Sequence, residues 1–564
     1  MPDTRDDEVE VDPITLELLR HSLAAIADEI EVDITRTAYS PLIYEYRDYA
    51  VGLLDVDGRL ITCARGPIIF TADLDVPLAD CLRILAEDGV TIGPEDVVLH
   101  NWGGVTGQHL NNVNAYTPAY YEGRIIGWSC VRMHWADVGG KDPGSSASND
   151  TVSLLQEGFQ LRAIRVMKDG QWDPEVLRFI EWNTRLPEQV IGDLKSQVFA
   201  ALKGARLFER LVTRYTQPVI QSAIHRIWDE SEQLARATIE KFTDGIYSAK
   251  SYLDNDGRGS GPVHIPITLE VAGSTLTVDF TKIADQLEGP FNSGNGAVTI
   301  ARAAMMFLLG YDRRADEGQF RPLTVKQRRR SFLTAEWPAP LARWSMSLPT
   351  VVDTILKAAS QMDPDRMAAG HHGVTNAYYF FGIDRNGRFY KHMDAALGGW
   401  GALPFMDGPG PYKTLTHGDS KDIPIEVVER TYPIKVASYG FRPDSGGVGK
   451  HRGGMGTKKV IEVIGETTFS CVFDREYCPP WGLFGGGPGR TAGVEVTRPG
   501  EETQHVRKVS SVKLTPGTRV VIEAAGGGGW GNPAERDPET IARDIRLGFI
   551  TELAWQQAVE AASE

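Results

Sequence analysis

The stretch PEQVIGDLKSQVFAALKGARLFERLVTRY at 187–215, followed by QSAIHRIWDESEQLARATIEKF at 221–242, decides how this chain is organised. Apolar residues recur there at steps of three and four, the period of an amphipathic helix. The spacing predicts a helical pair from about 187 to 250, long enough to join two halves of different character. Upstream, Tyr49-Ala-Val-Gly-Leu-Leu-Asp-Val-Asp-Gly58-Arg-Leu-Ile-Thr62 sets two apolar runs about an Asp-Gly turn, the strongest short hairpin signal. Further strands are predicted near 96–100, 113–120 and 125–133. Before them, Asp12-Pro13 opens a predicted helix over 13–38 with Leu16, Leu19, Leu23, Ile26 and Ile30 on one face. Downstream, HIPITLEVAGSTLTVDFT (264–281) reads as a hairpin, 298–310 and 345–362 as helices, and 363–533 as glycine-rich β structure.

The fold class expected is therefore α+β and multi-domain, with β-rich halves joined by a helical segment and glycine-rich loops. The expected divisions are a disordered acidic tail at 1–12, a helix and β-rich domain at 13–185 that carries the candidate site, and a helical linker at 186–255. An α+β segment at 256–362, a glycine-rich β domain at 363–533 and closing helices at 534–564 follow. Over 564 residues, 59 Lys and Arg stand against 75 Asp and Glu, a net charge of −16. That balance disfavours nucleic acid as the main partner, since a phosphate-binding surface needs a basic face. No apolar run approaches the ~18–20 uncharged residues of a membrane span. Five scattered cysteines, none at C-x₂-C spacing, predict a reduced, cytoplasmic protein.

Glycine clusters invite a phosphate-cradle reading, which the details oppose. Gly449-Lys450 is followed by His451, which cannot supply the hydroxyl of a Walker loop. Gly485-Gly-Gly-Pro-Gly489 and Gly526–Gly529 lack the strand-to-helix context of a dinucleotide site and read as close backbone packing. ATP is not expected on this chain. No nucleophile carries a signature either; Ser260 in Gly257-Arg-Gly-Ser-Gly precedes a strand rather than a helix.

Metal-type chemistry is better supported. His109-Leu-Asn-Asn112 and His134-Trp-Ala-Asp137 each set an imidazole three residues from an oxygen donor, 25 residues apart, at the ends of neighbouring predicted strands. Such donors suit Zn²⁺, Mn²⁺ or Fe²⁺, which could polarise a carbonyl or stabilise an enolate. The plainer alternative is that both histidines bond backbone carbonyls beside glycine turns. His100-Asn101-Trp102 opens the preceding loop and is a candidate pocket wall. The tandem His371-His372 needs a loop to use both rings at one site.

Asp12-Pro-Ile-Thr-Leu-Glu17, Arg36-Thr-Ala-Tyr-Ser-Pro41, Arg47-Asp48, His134-Trp-Ala-Asp-Val-Gly-Gly140 with Pro143-Gly144, and Gln156-Glu-Gly158 continue in order into Gly289-Pro290 and Arg442-Pro-Asp-Ser-Gly-Gly447. Arg452-Gly-Gly454, Pro479-Pro-Trp-Gly482 and Gly526-Gly-Gly-Gly-Trp-Gly-Asn-Pro533 complete the series. Together they resemble the hydantoinase B / 5-oxoprolinase C-terminal family over nearly the whole chain. That family holds ATP-dependent cyclic-amide hydrolases and ATP-dependent ketone carboxylases. The resemblance implies a hydantoinase A-like partner that binds ATP and Mg²⁺, further small subunits in a higher-order hetero-oligomer, and a ketone or cyclic amide as substrate.

By the same resemblance Asp48, His109, the residue at 112 and His134 would hold a metal, with Asp137 nearby. His134, His109 and Asp137 would be the catalytic groups. Asn112 stands where the family usually has Asp, which lowers the charge of the ligand set, and His100 could fill part of that role. Met133-His134-Trp135-Ala136-Asp137 is closer to the ketone carboxylases than to the amide hydrolases, which commonly carry paired histidines there. Trp135 beside Trp102 would supply a flat wall for a ketone. The implied activity is that of a subunit of an acetophenone-carboxylase-like enzyme, holding the ketone enolate while activated CO₂ arrives. The alternatives are ring opening of a hydantoin or lactam and a non-catalytic scaffold.

Overall fold

The computed structural model describes residues 9–144, 147–310, 313–384, 386–418 and 420–563. Most of the expected acidic tail, residues 1–8, lies outside them. Val9 already donates its N–H to Ser222 Oγ at 3.0 Å. Helix α1 (Pro13–Thr37) starts where the Asp12 side chain accepts from the N–H groups of Ile14 and Thr15.

The first sheet has strands β1 (Tyr49–Leu54), β2 (Leu60–Cys63), β3 (Val97–His100), β4 (Asn112–Tyr121), β5 (Arg124–His134), β6 (Ile164–Lys168) and β7 (Gln171–Trp172), in the order β2-β1-β5-β4-β3-β6-β7. Strict alternation divides its residues. Val51, Leu53, Val113, Val131 and Met133 face a core shared with α1. Ala50, Leu54, Tyr116, Trp128 and Cys130 face the other way. Two helices that sequence periodicity did not mark, α2 (Val76–Glu87) and α3 (Pro174–Trp182), flank this unit.

The predicted helical pair is α4 (Pro187–Tyr215) and α5 (Gln217–Ile239). It is not a free-standing spacer: Val190, Leu194 and Val198 bury against the first sheet, in the same core as α1. The helices also stop short of the predicted end near 250. Gly245–Leu253 is β8, because after the Thr243-Asp244-Gly245 break the sequence alternates in burial residue by residue. With β9 (Val263–Ala272), β10 (Thr275–Asp279) and β11 (Leu323–Lys326) it forms a second sheet, ordered β11-β10-β9-β8. Helices α6 (Gly296–Leu309) and α7 (Trp344–Ala359) join that sheet in a core continuous with the outer face of the first.

Strands β12 (Ala377–Ile383), β13 (Phe389–Ala395), β14 (Ile434–Phe441), β15 (Thr457–Val463), β16 (Thr467–Val472), β17 (Gly493–Thr497), β18 (Gln504–Val506), β19 (Lys508–Leu514) and β20 (Arg519–Glu523) make two more sheets. Their orders are β13-β12-β16-β19 and β14-β15-β20-β17-β18. Tyr378, Phe380, Phe469, Ile461 and Ile522 form the core between them.

The glycine-rich segments of this region are not strands. They run extended beside one another and bond across several neighbours: Gly454 N–H to Trp400 O at 2.8 Å, Gly527 to Gly454 O at 2.9 Å, Gly447 to Gly527 O at 2.8 Å and Gly528 to Gly370 O at 2.7 Å. A Cβ at Gly527 would lie 1.9 Å from Trp400 O, and one at Gly453 1.9 Å from Gly527 O. Only glycine permits backbones this close. Helices α8 (Pro538–Arg546) and α9 (Glu552–Ser563) close the chain. The five cysteines are free. Among the described residues no helix is long and apolar enough to cross a membrane.

Candidate functional site

Antiparallel register builds the site. Asn112 opens β4 directly opposite His134, which ends β5. The N–H of His134 donates to the carbonyl of Asp48, just before β1, at 3.1 Å. Alternation turns Asp48, Asn112 and His134 to the face of Ala50 and Cys130, away from α1 and α4. His109 enters from the turn before β4, its ring edge-on to His134 at 4.7 Å between centroids.

Asp48, His109 and His134 form one wall of a small closed chamber. Ser345 and Met346 of α7, Tyr379 of β12, Met393 of β13, and Thr375 and His417 from loops form the other; Tyr46 and Phe70 complete it. Its volume is about 10 Å³, room for a single water molecule. Buried polar groups normally find partners, and here several do not: Tyr46 Oη, Asp48 Oδ1, both ring nitrogens of His134 and Thr375 Oγ1.

Burial sets the protonation states. It pushes the Asp48 carboxyl up to about 7, against the pull of Lys391. Burial, then the neighbouring His109 and Lys391, hold His134 well below its ordinary range, so it is neutral. His109 is lowered to about 3 and His417 to about 4, again chiefly by burial. Burial also lowers Lys391 to about 8, while its ammonium donates to Ala136 O at 2.9 Å and Gly144 O at 3.2 Å.

Among the described residues no three His, Cys, Asp or Glu side chains group closely enough to hold a metal ion. The expected four-residue set with Asp48 as ligand is therefore not assembled. Three other donors, the rings of His109 and His134 and the Asn112 amide oxygen, stand together at this end of β4 and β5. His134 turns Nδ1 toward Asp48 Oδ2 at 3.6 Å, and His109 turns Nδ1 toward Ala342 O at 3.4 Å. His134 Nε2 is without a hydrogen-bond partner. His109 Nε2 lies 3.0 Å from Asn112 Oδ1. A neutral imidazole has one proton for two acceptors, Ala342 O and Asn112 Oδ1. The contact left without a proton sets lone pair against lone pair, which a cation would relieve.

The other residues singled out in the sequence lie elsewhere. Trp135 follows His134 and so points to the opposite face, where Nε1 donates to Gln197 Oε1 at 3.0 Å and the ring meets Phe159. The Arg162 guanidinium covers Trp102 at 3.5 Å. The flat wall expected from these two tryptophans is not built. His100 sits one row along the sheet, in register with Asn114, its Nδ1 3.3 Å from Cys81 Sγ; it does not reach the chamber. Asp137 accepts from Gly144 N at 2.7 Å, Arg185 N at 2.7 Å and Arg185 Nη1 at 3.0 Å, and is absorbed in ordering its own loop. His371 packs on Asp353 at 3.1 Å, also outside the chamber. Sequence reasoning missed Tyr46, Thr375 and His417. Tyr46 was within reach, two residues before Asp48; the other two come from distant loops with no local pattern.

Known proteins share this architecture. The B-type component of a "Putative D-/L-hydantoinase" from Pseudomonas sp. (strain NS671) is 30% identical, with 97% of this chain and 94% of that protein covered. The crystal structure of ATP-dependent caprolactamase from Pseudomonas jessenii superposes with a TM-score of 0.88 at 24% identity, covering 96% of this chain and 95% of that one. The nucleotide-free structure of acetone carboxylase gives 0.86 at 17% identity, over 97% of this chain and 79% of that one. The two solved structures show a common fold. The hydantoinase B/oxoprolinase family model matches residues 12–533, and the chain belongs to that family.

Proposed function

We propose that the chain is the hydantoinase B-type subunit of an ATP-dependent complex that opens a cyclic amide, a hydantoin or lactam. A hydantoinase A-like subunit would bind ATP and Mg²⁺, and the assembly would be a cytoplasmic hetero-oligomer with further small subunits. The observation that carries this reading is the buried Asp48–His134 pair, with the unpartnered Tyr46 and Thr375 hydroxyls around it. Asp48 Oδ1, free of any donor, takes the proton of a water whose oxygen bonds to the ring carbonyl carbon. The His134 ring stands beside its other oxygen, Nδ1 3.6 Å away. A hydroxyl of Tyr46 or Thr375 donates to the substrate oxygen on that carbon. The C–N bond then breaks, the proton held by Asp48 passes to the departing nitrogen, and the phosphoryl group that the partner has transferred from ATP to the ring carbonyl oxygen leaves as phosphate when a second water hydrolyses the acyl phosphate so formed. A Zn²⁺, Mn²⁺ or Fe²⁺ ion on His109, Asn112 and His134 would polarise the same oxygen. The chamber must open to admit substrate, which suits an enzyme whose activation step belongs to a partner. The 30% identity to a B-type hydantoinase component supports the amide.

Ketone carboxylation is the second reading, supported by Met133-His134-Trp135-Ala136-Asp137. There Asp48 would remove the α-proton of a ketone, and the enolate carbon would bond to CO₂ released from activated bicarbonate. The Trp102–Trp135 wall expected for it does not line the chamber, whose aromatic residues are Tyr46, Phe70 and Tyr379. The test is ATP consumption by the co-purified complex. Hydantoin- or lactam-dependent turnover without bicarbonate supports ring opening; turnover that needs both ketone and bicarbonate overturns it in favour of carboxylation.

A further inference from the structure

The identity of residue 112 follows from a polar chain that runs behind it. Arg132 of β5 is fully buried and ion-paired with Asp73. Asp73 therefore faces the rest of the chain as an acceptor only. Gln108 Nε2 donates to Asp73 Oδ2 at 2.9 Å, and Thr299 Oγ1 of α6 donates to the same oxygen at 2.9 Å. With its amide nitrogen committed, Gln108 can offer only Oε1 in the other direction. Asn112 Nδ2 donates to that oxygen at 2.9 Å. This leaves Asn112 Oδ1 aimed at His109 Nε2, 3.0 Å away. Each link is forced by the one before it, from the Arg132 charge to the chamber.

We propose that Gln108 is a positioning residue: it relays the polarity of the Asp73–Arg132 pair so that Asn112 presents a neutral oxygen, and only an oxygen, to His109 and the ion beside it. A carboxylate at 112 would oppose Gln108 Oε1. Turning the Gln108 amide to serve it would set Oε1 against Asp73. Asn112 is on this account a matched part of the chain, not the remnant of a lost carboxylate. All six side chains are buried, so water does not substitute for a missing link. The proposal rests on the chamber being the ion and substrate site.

The test uses the intact complex carrying Gln108→Met, which keeps the length and removes both hydrogen bonds, and Gln108→Asn, which is too short to span them. Mn²⁺ affinity is read by calorimetry, and the His109 tautomer by ¹⁵N shifts of histidine-labelled protein assigned with His109→Gln. Expected are Mn²⁺ binding weakened about 10- to 100-fold and a His109 signal that moves toward a mixture of tautomers. Unchanged affinity and an unchanged signal in a folded variant would overturn the proposal. If the wild-type complex takes up no Mn²⁺, the ion reading fails alone. The tautomer shift then decides for Gln108, its movement supporting the relay and its constancy refuting it.

Discussion

Tyr46 stands between two buried charge clusters that differ in one respect. Behind its ring, with Lys413 Nζ 4.9 Å from the centroid, Asp394 accepts from Lys413 at 3.0 Å, Lys459 at 3.0 Å, Tyr378 Oη at 2.9 Å and Ala395 N at 2.8 Å. Against the push of burial, the two lysines hold the Asp394 carboxyl far below the usual range. In front, around the Tyr46 hydroxyl, Asp48 has one oxygen without a donor and is raised to about 7. Burial is equal; saturation is not. A saturated network fixes the packing of β12, β13 and β15. An unsaturated one carries an unfavourable free energy that folding does not recover, and binding a ligand can recover it.

That contrast is broken most forcefully at Asp394. Asp394→Ala leaves two buried lysines short of a carboxylate and should destabilise the fold by about 3–5 kcal/mol, read as a loss of folded protein in denaturant titrations. A smaller, pH-dependent effect is expected at Glu157, buried, raised to about 8 by burial, and accepting from the N–H groups of Leu341 and Ala342 at 2.6 and 2.9 Å. Its folded pKa lies above the unfolded value. Its stabilising contribution is therefore full below the unfolded pKa and is lost as pH rises through about 8. Glu157→Gln should gain on wild type as pH rises, by at most about 1.4 kcal/mol per pH unit, in melting curves from pH 5 to 9. The smallest effect belongs to Trp102, stacked under Arg162 outside the chamber. Trp102→Leu should alter turnover less than about twofold, whereas a tenfold loss in kcat/KM, about 1.4 kcal/mol, would restore it to the substrate wall.

Local pattern made much of this legible. The Asp57-Gly58 hairpin, the helix from Pro13 and the two long helices each carry their period within one window. His109 and His134 could be paired because β4 and β5 are neighbours along the chain. Trp135 directly follows His134 and so packs on the opposite face, which proximity in sequence does not reveal. The partners of Asp137, Arg185 and Gly144, are loop contacts that spacing does not encode. Thr375 and His417 reach the chamber from more than 200 residues beyond His134, and only tertiary packing brings them there. The glycine clusters were legible as close packing, but which segment each glycine bonds is decided by the assembled bundle.

The central claim is that the unsaturated pair is the reacting pair, and Asp48→Asn tests it most directly, with turnover and thermal stability measured on the same preparation of the complex. The account predicts a kcat lower by about 10² or more with a melting temperature equal to or above wild type, because a buried carboxylate has become a neutral amide. Full turnover in a stable Asp48→Asn complex would contradict it.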